Sequence, residues 1–528
     1  MSGNDFTAAE SAVLERYFTN LDRPVFALRN LPEVVKGALF SRYSRTEKSL
    51  RKVLLDEFIN DPDAGFEALA GKPSDEDDMV AVRRAEEFYE RVLVGYGDDS
   101  VAELAGAHIA IERTSTLAAK ALEDSRIGIS PLEKSTRYVR FDRPGPDGRH
   151  LFYRGPELSH PDYEPGADAL FGVYSSLVEP VTEAIRERYP LEPDETKRAW
   201  KSATRAKALD LLRGLLPAGT LTNLGLFGNG RAFEYLIIKL AGHELPECRR
   251  LANDVHRELA LVIPSFVKRA LDERYGRPSA ERLERLRVGL AKLARRGEPL
   301  PTGPSVKLIE HDPDAERKVV AAALFPHSDA PLDEQVGDAP QVLESLLADR
   351  ANRRQRPPRA LEHAEYTFEI VSNFGAYRDL HRHRMLTQDR QWLGTALGYD
   401  LPDGLKELGA DGRFAAAVEA AALAHGRLER DAGPALAQYL VPLAFRVRWY
   451  FKANLREIYH LCELRTTPQG HPDYRWVAQE MFHRVSEVHP TLARYARFVD
   501  LGAGDELGRR QAERRIDAKL SALDHRVR

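Results

Sequence analysis

The sequence predicts an α+β protein of two tandem domains, each a mixed β-sheet packed with helices. Three observations lead there. Landmarks recur in the same order in the two halves. A Pro/Gly-rich stretch, RRGEPLPTGPSVK from Arg295, separates those halves. In each half a stretch of period-two apolar alternation is followed by good helix formers without alternation. The chain has 528 residues, enough for two or three cores. The predicted division is an N-terminal domain with insertions over 1–295, a linker over 296–305 and a C-terminal domain over 306–528.

The recurrence can be followed residue by residue. VVKGALFSR at Val34 echoes VVAAALFPH at Val319, and AELAGAHIAIE at Ala102 echoes LEHAEYTFEIV at Leu361. Pro217 pairs with Pro442, Asn229 with Asn454 and Arg231 with Arg456, all at one constant offset without a gap. PECRRLA at Pro246 faces PDYRWVA at Pro472 with one residue slipped.

In the second half, HAEYTFEIVS places Ala364, Tyr366, Phe368 and Ile370 on one side, which reads as a strand. NFGAYRDLHRHR then reads as a helix with Asn373 as N-cap, and MLTQDRQ as a loop. The first half repeats this plan with HIAIE, TSTLAAKALEDS and RIGISPLEKSTRYVRF.

Composition removes several function classes. Lys plus Arg number 77 against 81 Asp plus Glu, a formal charge of −4, so any anion binding must be local. The basic run DRANRRQRPPRA at Asp349 lacks interleaved aromatics and reads as a solvated loop rather than a nucleic-acid site. The two cysteines, Cys248 and Cys462, form no CxxC pair and sit in no nucleophile motif, so no catalytic nucleophile is assigned. The start carries no basic segment followed by an apolar core, and nowhere do eighteen apolar residues run together. A cytoplasmic protein without membrane partners is expected.

Two stretches carry chemistry. In LHRHRMLTQDRQ, the cations Arg382 and Arg384 sit at a helix end, where they can complement the helix dipole or grip an anion with paired hydrogen bonds. His381 and His383 are two apart, which diverges on a helix, and no His-Glu-x-x-His pattern is present, so no metal site is predicted. In NLREIYHLCELRTTPQGHPDYR, the separation of Asn454 and Arg465 is close to three whole helical turns, so the two share a face. Arg456 and His460 share a neighbouring face, beside a stripe of Leu455, Ile458, Leu461 and Leu464. Such a helix is either solvated through Glu457 or Glu463 ion pairs, or buried against a polar pocket.

Together these stretches resemble the flavin-dependent thymidylate synthases, the ThyX family, over about Val306 to Val485 and more faintly over Val34 to Ala260. The resemblance makes both predicted domains ThyX-like. It implies FAD as cofactor, NADPH and methylenetetrahydrofolate as co-substrates, and methylation of dUMP to dTMP with hydride delivered by flavin. His363, Arg382, His383 and Arg384 match flavin-binding positions; Asn454 and His460 match flavin or folate positions; Arg465 matches the arginine that binds dUMP. Thr387 stands where the signature has Ser, and QWLGT replaces the Ser-x-Arg-Tyr element. The first half has the opposite losses, with Glu123, Asp124 and Ser125 opposite Arg382, His383 and Arg384, and Tyr235 and Leu240 opposite His460 and Arg465. Yet it keeps Ser135, Arg137 and Tyr138 as Ser-x-Arg-Tyr, with Ser100 and Glu103 upstream. Since family members are homotetramers with sites between subunits, the resemblance implies a homodimer forming a pseudo-tetramer, each site joining the flavin cradle of one half to nucleotide contacts of the other. The alternative it leaves open is a paralogue that binds flavin or nucleotide with a different role or none in catalysis.

Overall fold

The computed structural model describes residues 6–44, 46–60, 103–125, 127–294, 303–335, 337–504 and 507–527. Residues 296–302 of the predicted linker, and Ser100, lie outside the described residues. The elements that position the site are, in chain order, β1 (Gly106–Ser115), α1 (Thr116–Glu123), β2 (Ile129–Glu133), α2 (Tyr163–Arg188), α3 (Lys197–Leu212), β3 (Leu221–Asn229), α4 (Gly230–Ala241) and α5 (Pro246–Leu259). There follow β4 (Ser305–His311), β5 (Glu365–Asn373), α6 (Phe374–Leu380), β6 (Thr387–Arg390), α7 (Asp411–Ala432), β7 (Arg446–Asn454), α8 (Leu455–Arg465), α9 (Pro472–Val488) and α10 (Arg510–Val527).

Two compact units divide the chain, and neither is continuous. Met1–Glu112, Ala121–Glu133 and Asn223–Arg295 make the first; Arg113–Lys120, Lys134–Thr222 and Arg296–Arg528 make the second. Residues 134–222 precede the predicted linker yet belong to the unit that holds the C-terminal sheet.

The first unit carries a three-stranded sheet in the order β1-β3-β2, with Ile129 of β2 antiparallel to Gly228 of β3. Asn229 ends β3 and caps α4 by accepting the Ala232 N–H at 2.8 Å. Phe233, Leu236, Ile237 and Leu240 of α4 are buried, and α5 packs beside it.

The second unit carries a four-stranded sheet in the order β4-β5-β7-β6. Every pairing in it is antiparallel, which corrects the mixed sheet predicted. The burial pattern gives the reason: Val447, Trp449, Phe451 and Ala453 of β7 are buried while the residues between them are not, the one-sided alternation that antiparallel sheets sustain and parallel ones rarely do. The predicted strand face of Ala364, Tyr366, Phe368 and Ile370 is buried throughout. Asn373 caps α6 as expected, accepting the Ala376 N–H at 2.8 Å. The expected loop MLTQDRQ instead contains β6, an edge strand whose Thr387 to Arg390 pair with Lys452 to Trp449 of β7.

Element positions repeat along the chain. β3 and β7 keep one offset at both ends (221 to 446, 229 to 454), and the starts of α5 and α9 differ from it by a single position (246 to 472). The β1–α1 and β5–α6 junctions share a second offset (116 to 374) with the starts of β2 and β6 (129 to 387). That second offset sets Asp124 and Ser125 opposite Arg382 and His383, one residue on from the pairing read in the sequence.

Within the second unit, the repeat-related Pro217 and Pro442 sit opposite one another in an antiparallel bridge. Ala218 N–H donates to Val441 O at 2.8 Å, and Leu443 N–H donates to Leu216 O at 2.9 Å, so equivalent segments pair about a local twofold. The backbones approach closely there: a Cβ on Gly219 would lie 2.9 Å from the Tyr439 carbonyl oxygen. Helices α2 and α7 pack alongside. Among the described residues no helix is long and apolar enough to cross a membrane.

Candidate functional site

Helix α8 supplies the centre of the site. Its Leu455, Ile458 and Leu461 are buried against the core, as the stripe predicts. The opposite choice, a solvated helix, is excluded because Glu457 and Glu463 are themselves buried and paired inside the protein. Glu463 accepts a bidentate pair from Arg350 at 2.9 and 2.7 Å, which pins the basic loop that follows Asp349 onto α8.

Glu457 faces the end of α6. His383 Nδ1 lies 2.6 Å from Glu457 Oε1, and His383 Nε2 accepts from Arg465 Nε at 3.0 Å. Since Nε2 is an acceptor, the proton of the neutral imidazole resides on Nδ1 and is donated to the carboxylate. Burial, then the Arg465 charge, holds His383 well below the usual imidazole range. Burial pushes Glu457 up to about 7, against the pull of His460, Arg356, Arg465 and Arg456.

The ligand-competent atoms of His383, Glu457 and His460 lie within 4.8 Å of one another, a grouping the sequence reading missed because it tested only His381 with His383. Two imidazoles and a carboxylate could take a divalent cation. Here both His383 nitrogens are already engaged, and the arginines around the group oppose a second positive charge. In the structure the group is a hydrogen-bonded chain from Glu457 through His383 to Arg465.

From Arg465 the network continues toward residues from the first half of the chain. The guanidinium carbons of Arg465 and Arg137 each lie 5.7 Å from the Tyr474 ring centroid. Both cations face the same ring. Arg137 Nη1 also donates to the Tyr474 hydroxyl at 3.2 Å. Arg137 forms a bidentate pair with Asp210, both contacts 2.7 Å, and reaches the Gln469 carbonyl at 3.3 Å. A turn creates this reach: Ser135 Oγ accepts the Arg137 N–H at 3.2 Å and Ser135 O accepts the Val139 N–H at 3.1 Å. Arg137 points inward, while Tyr138 stays about half exposed. Nearby, Arg213 pairs with Asp379 at 2.9 Å. Burial alone would raise the Asp379 carboxyl, but Arg213, Arg382, Arg137 and Arg465 hold it far below the carboxylate range.

The predicted residues thus divide. His383, Arg465 and Arg137 meet in one network, with Arg382 beside it through Asp379. His460 sits at its exposed edge, its ring 5.3 Å from that of His383. Arg384 and Thr387 are exposed. His363 is part-exposed and lines a separate shallow cavity of about 400 Å³ with Arg359 and Glu362. Glu103 pairs with Arg231 at 2.9 Å in the first unit, and Tyr235 there is exposed while Leu240 is buried. Asn454 acts as the N-cap of α8, accepting the Glu457 N–H at 3.0 Å. Asn454→Ala is therefore expected to cost about 1 kcal/mol in thermal unfolding, with Asn454→Ser restoring most of it. Tyr474, Asp210 and Asp379 were not singled out, and Glu457 was read only as an ion-pair partner of a solvated helix; its i, i+3 spacing from His460 was the signal for more.

A family model described as thymidylate synthase complementing protein matches residues 59–265 and again 307–491. The chain is 44% identical over 531 residues to a UPF0159 protein of Chlamydia pneumoniae, covering 97% of this chain and 98% of that one. It is 33% identical over 527 residues to a UPF0159 protein of Thermoplasma acidophilum, covering 92% and 99%. A flavin-dependent thymidylate synthase of Sulfolobus acidocaldarius is 26% identical over 200 residues, 36% of this chain and 76% of that one. Among solved structures, a UMP/dUMP methylase of Streptomyces cacaoi bound with 5-Br dUMP matches with TM-score 0.32 and 19% identity, covering 37% of this chain and 94% of the other.

Proposed function

The chain belongs to the thymidylate synthase complementing protein family, and from that premise we propose that it is a flavin-dependent nucleotide methyltransferase, converting dUMP to dTMP with methylenetetrahydrofolate and NADPH. The carrying observation is the continuous link Arg137–Tyr474–Arg465–His383, which joins the Ser-x-Arg-Tyr element of the first half to the Arg-His-Arg element of the second within one chain. Each half lacks what the other retains, and the link supports one composite site per chain. The repeated element spacing supports reading the halves as diverged tandem copies, and two such chains as a pseudo-tetrameric dimer.

The donor set suits a flavin dinucleotide. Arg353 and Arg356 act on His460 electrostatically. With Arg382 and the exposed Arg384 they would hold its diphosphate. When bound, the flavin would supply the hydride that completes the methyl group. The protein's own part is to hold the nucleotide through Arg137 and Arg465 and to offset charge developing on the pyrimidine. His383 would act behind them, aiming Arg465 rather than touching the flavin, because it is buried.

One observation favours a paralogue that binds without synthase chemistry: Arg137 is already neutralised by Asp210. Purification separates the readings. The synthase is expected to be yellow with bound FAD, to oxidise NADPH only when dUMP is added, and to rescue a thymidine auxotroph. A yellow protein without dUMP-dependent oxidation or rescue would favour the paralogue, and a colourless protein that takes up no flavin would sink both.

A further inference from the structure

The chain continues beyond the family match, which ends at residue 491, into α10. This helix is fastened to α3 and the turn before it by ion pairs: Arg510 with Glu195 at 2.8 Å, Arg514 with Glu192 and, at 3.2 Å, with Asp194, and Asp517 with Arg198 and Thr196. The fastening fixes the residue just before the helix, Arg509. Its guanidinium carbon lies 3.7 Å from the ring centroid of Tyr138, the tyrosine of the Ser-x-Arg-Tyr element. The side chain is only 13% exposed, and its Nη1 is buried without a hydrogen-bond partner among the described residues. Among the described residues, the carboxylate paired with it is that of Glu513, 3.9 Å from Nη2 and too far for a hydrogen bond.

Arg509 lines a cavity of about 370 Å³, together with Arg137, Lys207, Gly470 and Gly508. Carboxylates line it too, but three are committed elsewhere. Asp210 is held by Arg137, Asp400 by Arg446 at 2.6 Å and by Asn373 at 2.9 Å, and Asp473 by Asn373 at 2.6 Å. Asp403, the fourth, is exposed. A buried guanidinium nitrogen left unsatisfied is costly, and stacking on Tyr138 holds the fork in one plane without giving that nitrogen an acceptor. Burial is the chief influence on Arg509 and lowers its hold on its proton, against the pull of Tyr138, Glu513 and Asp210.

We infer that Arg509 is a further substrate-binding residue, donating from Nη1 to a phosphate oxygen of the ligand in this cavity while Tyr138 fixes its plane. The inference deepens the nucleotide reading above and rests on it for the rest of the ligand. A guanidinium on a phosphate is the strong, charge-assisted kind of hydrogen bond. Lys207 lines the same cavity.

The test is calorimetric titration of the full chain with dUMP, deoxyuridine and inorganic phosphate. Arg509→Gln is expected to weaken dUMP roughly ten- to hundredfold and leave deoxyuridine unchanged. Arg509→Lys should recover part of the loss, because it restores charge without the fork. If Arg509→Gln does not fold, Tyr138→Leu, at a half-exposed position, should weaken dUMP severalfold while sparing deoxyuridine. Unchanged dUMP affinity in Arg509→Gln, or equal losses for dUMP and deoxyuridine, would overturn the inference. If the wild type binds phosphate but no uridine nucleotide, and Arg509→Gln loses the phosphate, the anion site stands and the nucleotide reading fails. Binding of neither dUMP nor phosphate by the wild type overturns the inference itself.

Discussion

Arg350→Ala is expected to lower folding stability by about 3–5 kcal/mol, measured by urea unfolding with the denaturant slope unchanged. Both partners of the Arg350–Glu463 pair are buried, with side chains 4% and 1% exposed. Removing the arginine leaves a carboxylate in the interior with no counter-ion, and also deletes packing against Tyr459 and Phe498, whose ring centroids lie 5.8 and 5.4 Å from the guanidinium. The deficit has a pH signature. Burial already raises Glu463 and Arg350 is the group that pulls it back down, so without Arg350 its folded-state pKa climbs further above the unfolded value. A group raised in the folded state stabilises when protonated, so stability is retained below the ordinary glutamate pKa and lost as pH rises through the folded one. The gap between variant and wild type should therefore be small near the ordinary carboxylate pKa and largest at neutral pH and above. A uniform gap across that range would mean that lost packing, not an orphaned charge, dominates.

The same pair marks the boundary of what local pattern reveals. Strand β5, the Asn373 cap and the buried face of α8 were legible because each rests on residues two to four apart, where period and capping chemistry act. Strand β6 was read as a loop because Thr387 to Arg390 are exposed or half-buried on an edge and carry no apolar alternation. Arg350 and Glu463 are 113 residues apart, Arg137 and Tyr474 337 apart, so no spacing rule could join them. The resemblance put His383, Arg465 and Arg137 onto one list, and the packing brings these three together in one network. His383 is buried and accepts from Arg465 Nε, and Asn454 caps the helix backbone. Complementary losses in the two halves pointed to residues that come together in one network. That they meet in a single chain depended on residues 134–222 joining the second unit, which only the three-dimensional packing discloses.

Arg137 separates stability from function most sharply. Arg137→Ala leaves Asp210 unpaired, with a side chain only 11% exposed. The expected cost is about 3–5 kcal/mol of stability. Replacing both partners by apolar residues of similar size, Arg137→Met with Asp210→Leu, removes the orphaned charge and should return stability to near the wild-type value. Function should not return with it. Arg137 reaches Tyr474 by a hydrogen bond and by its cation, and Arg465 lies over the same ring. Loss of a cation aimed at developing charge lowers turnover about 10²- to 10³-fold. The double variant is therefore expected to melt like the wild type while dUMP-dependent NADPH oxidation falls by that factor and dUMP binding weakens. Arg137→Lys should fall between, since a point charge cannot keep both Asp210 contacts and the Tyr474 contact at once. A stable double variant that turns over dUMP at the wild-type rate would show that the Arg137–Asp210 pair is only a structural tie. The composite site with Arg137 as its nucleotide contact would then have to be abandoned.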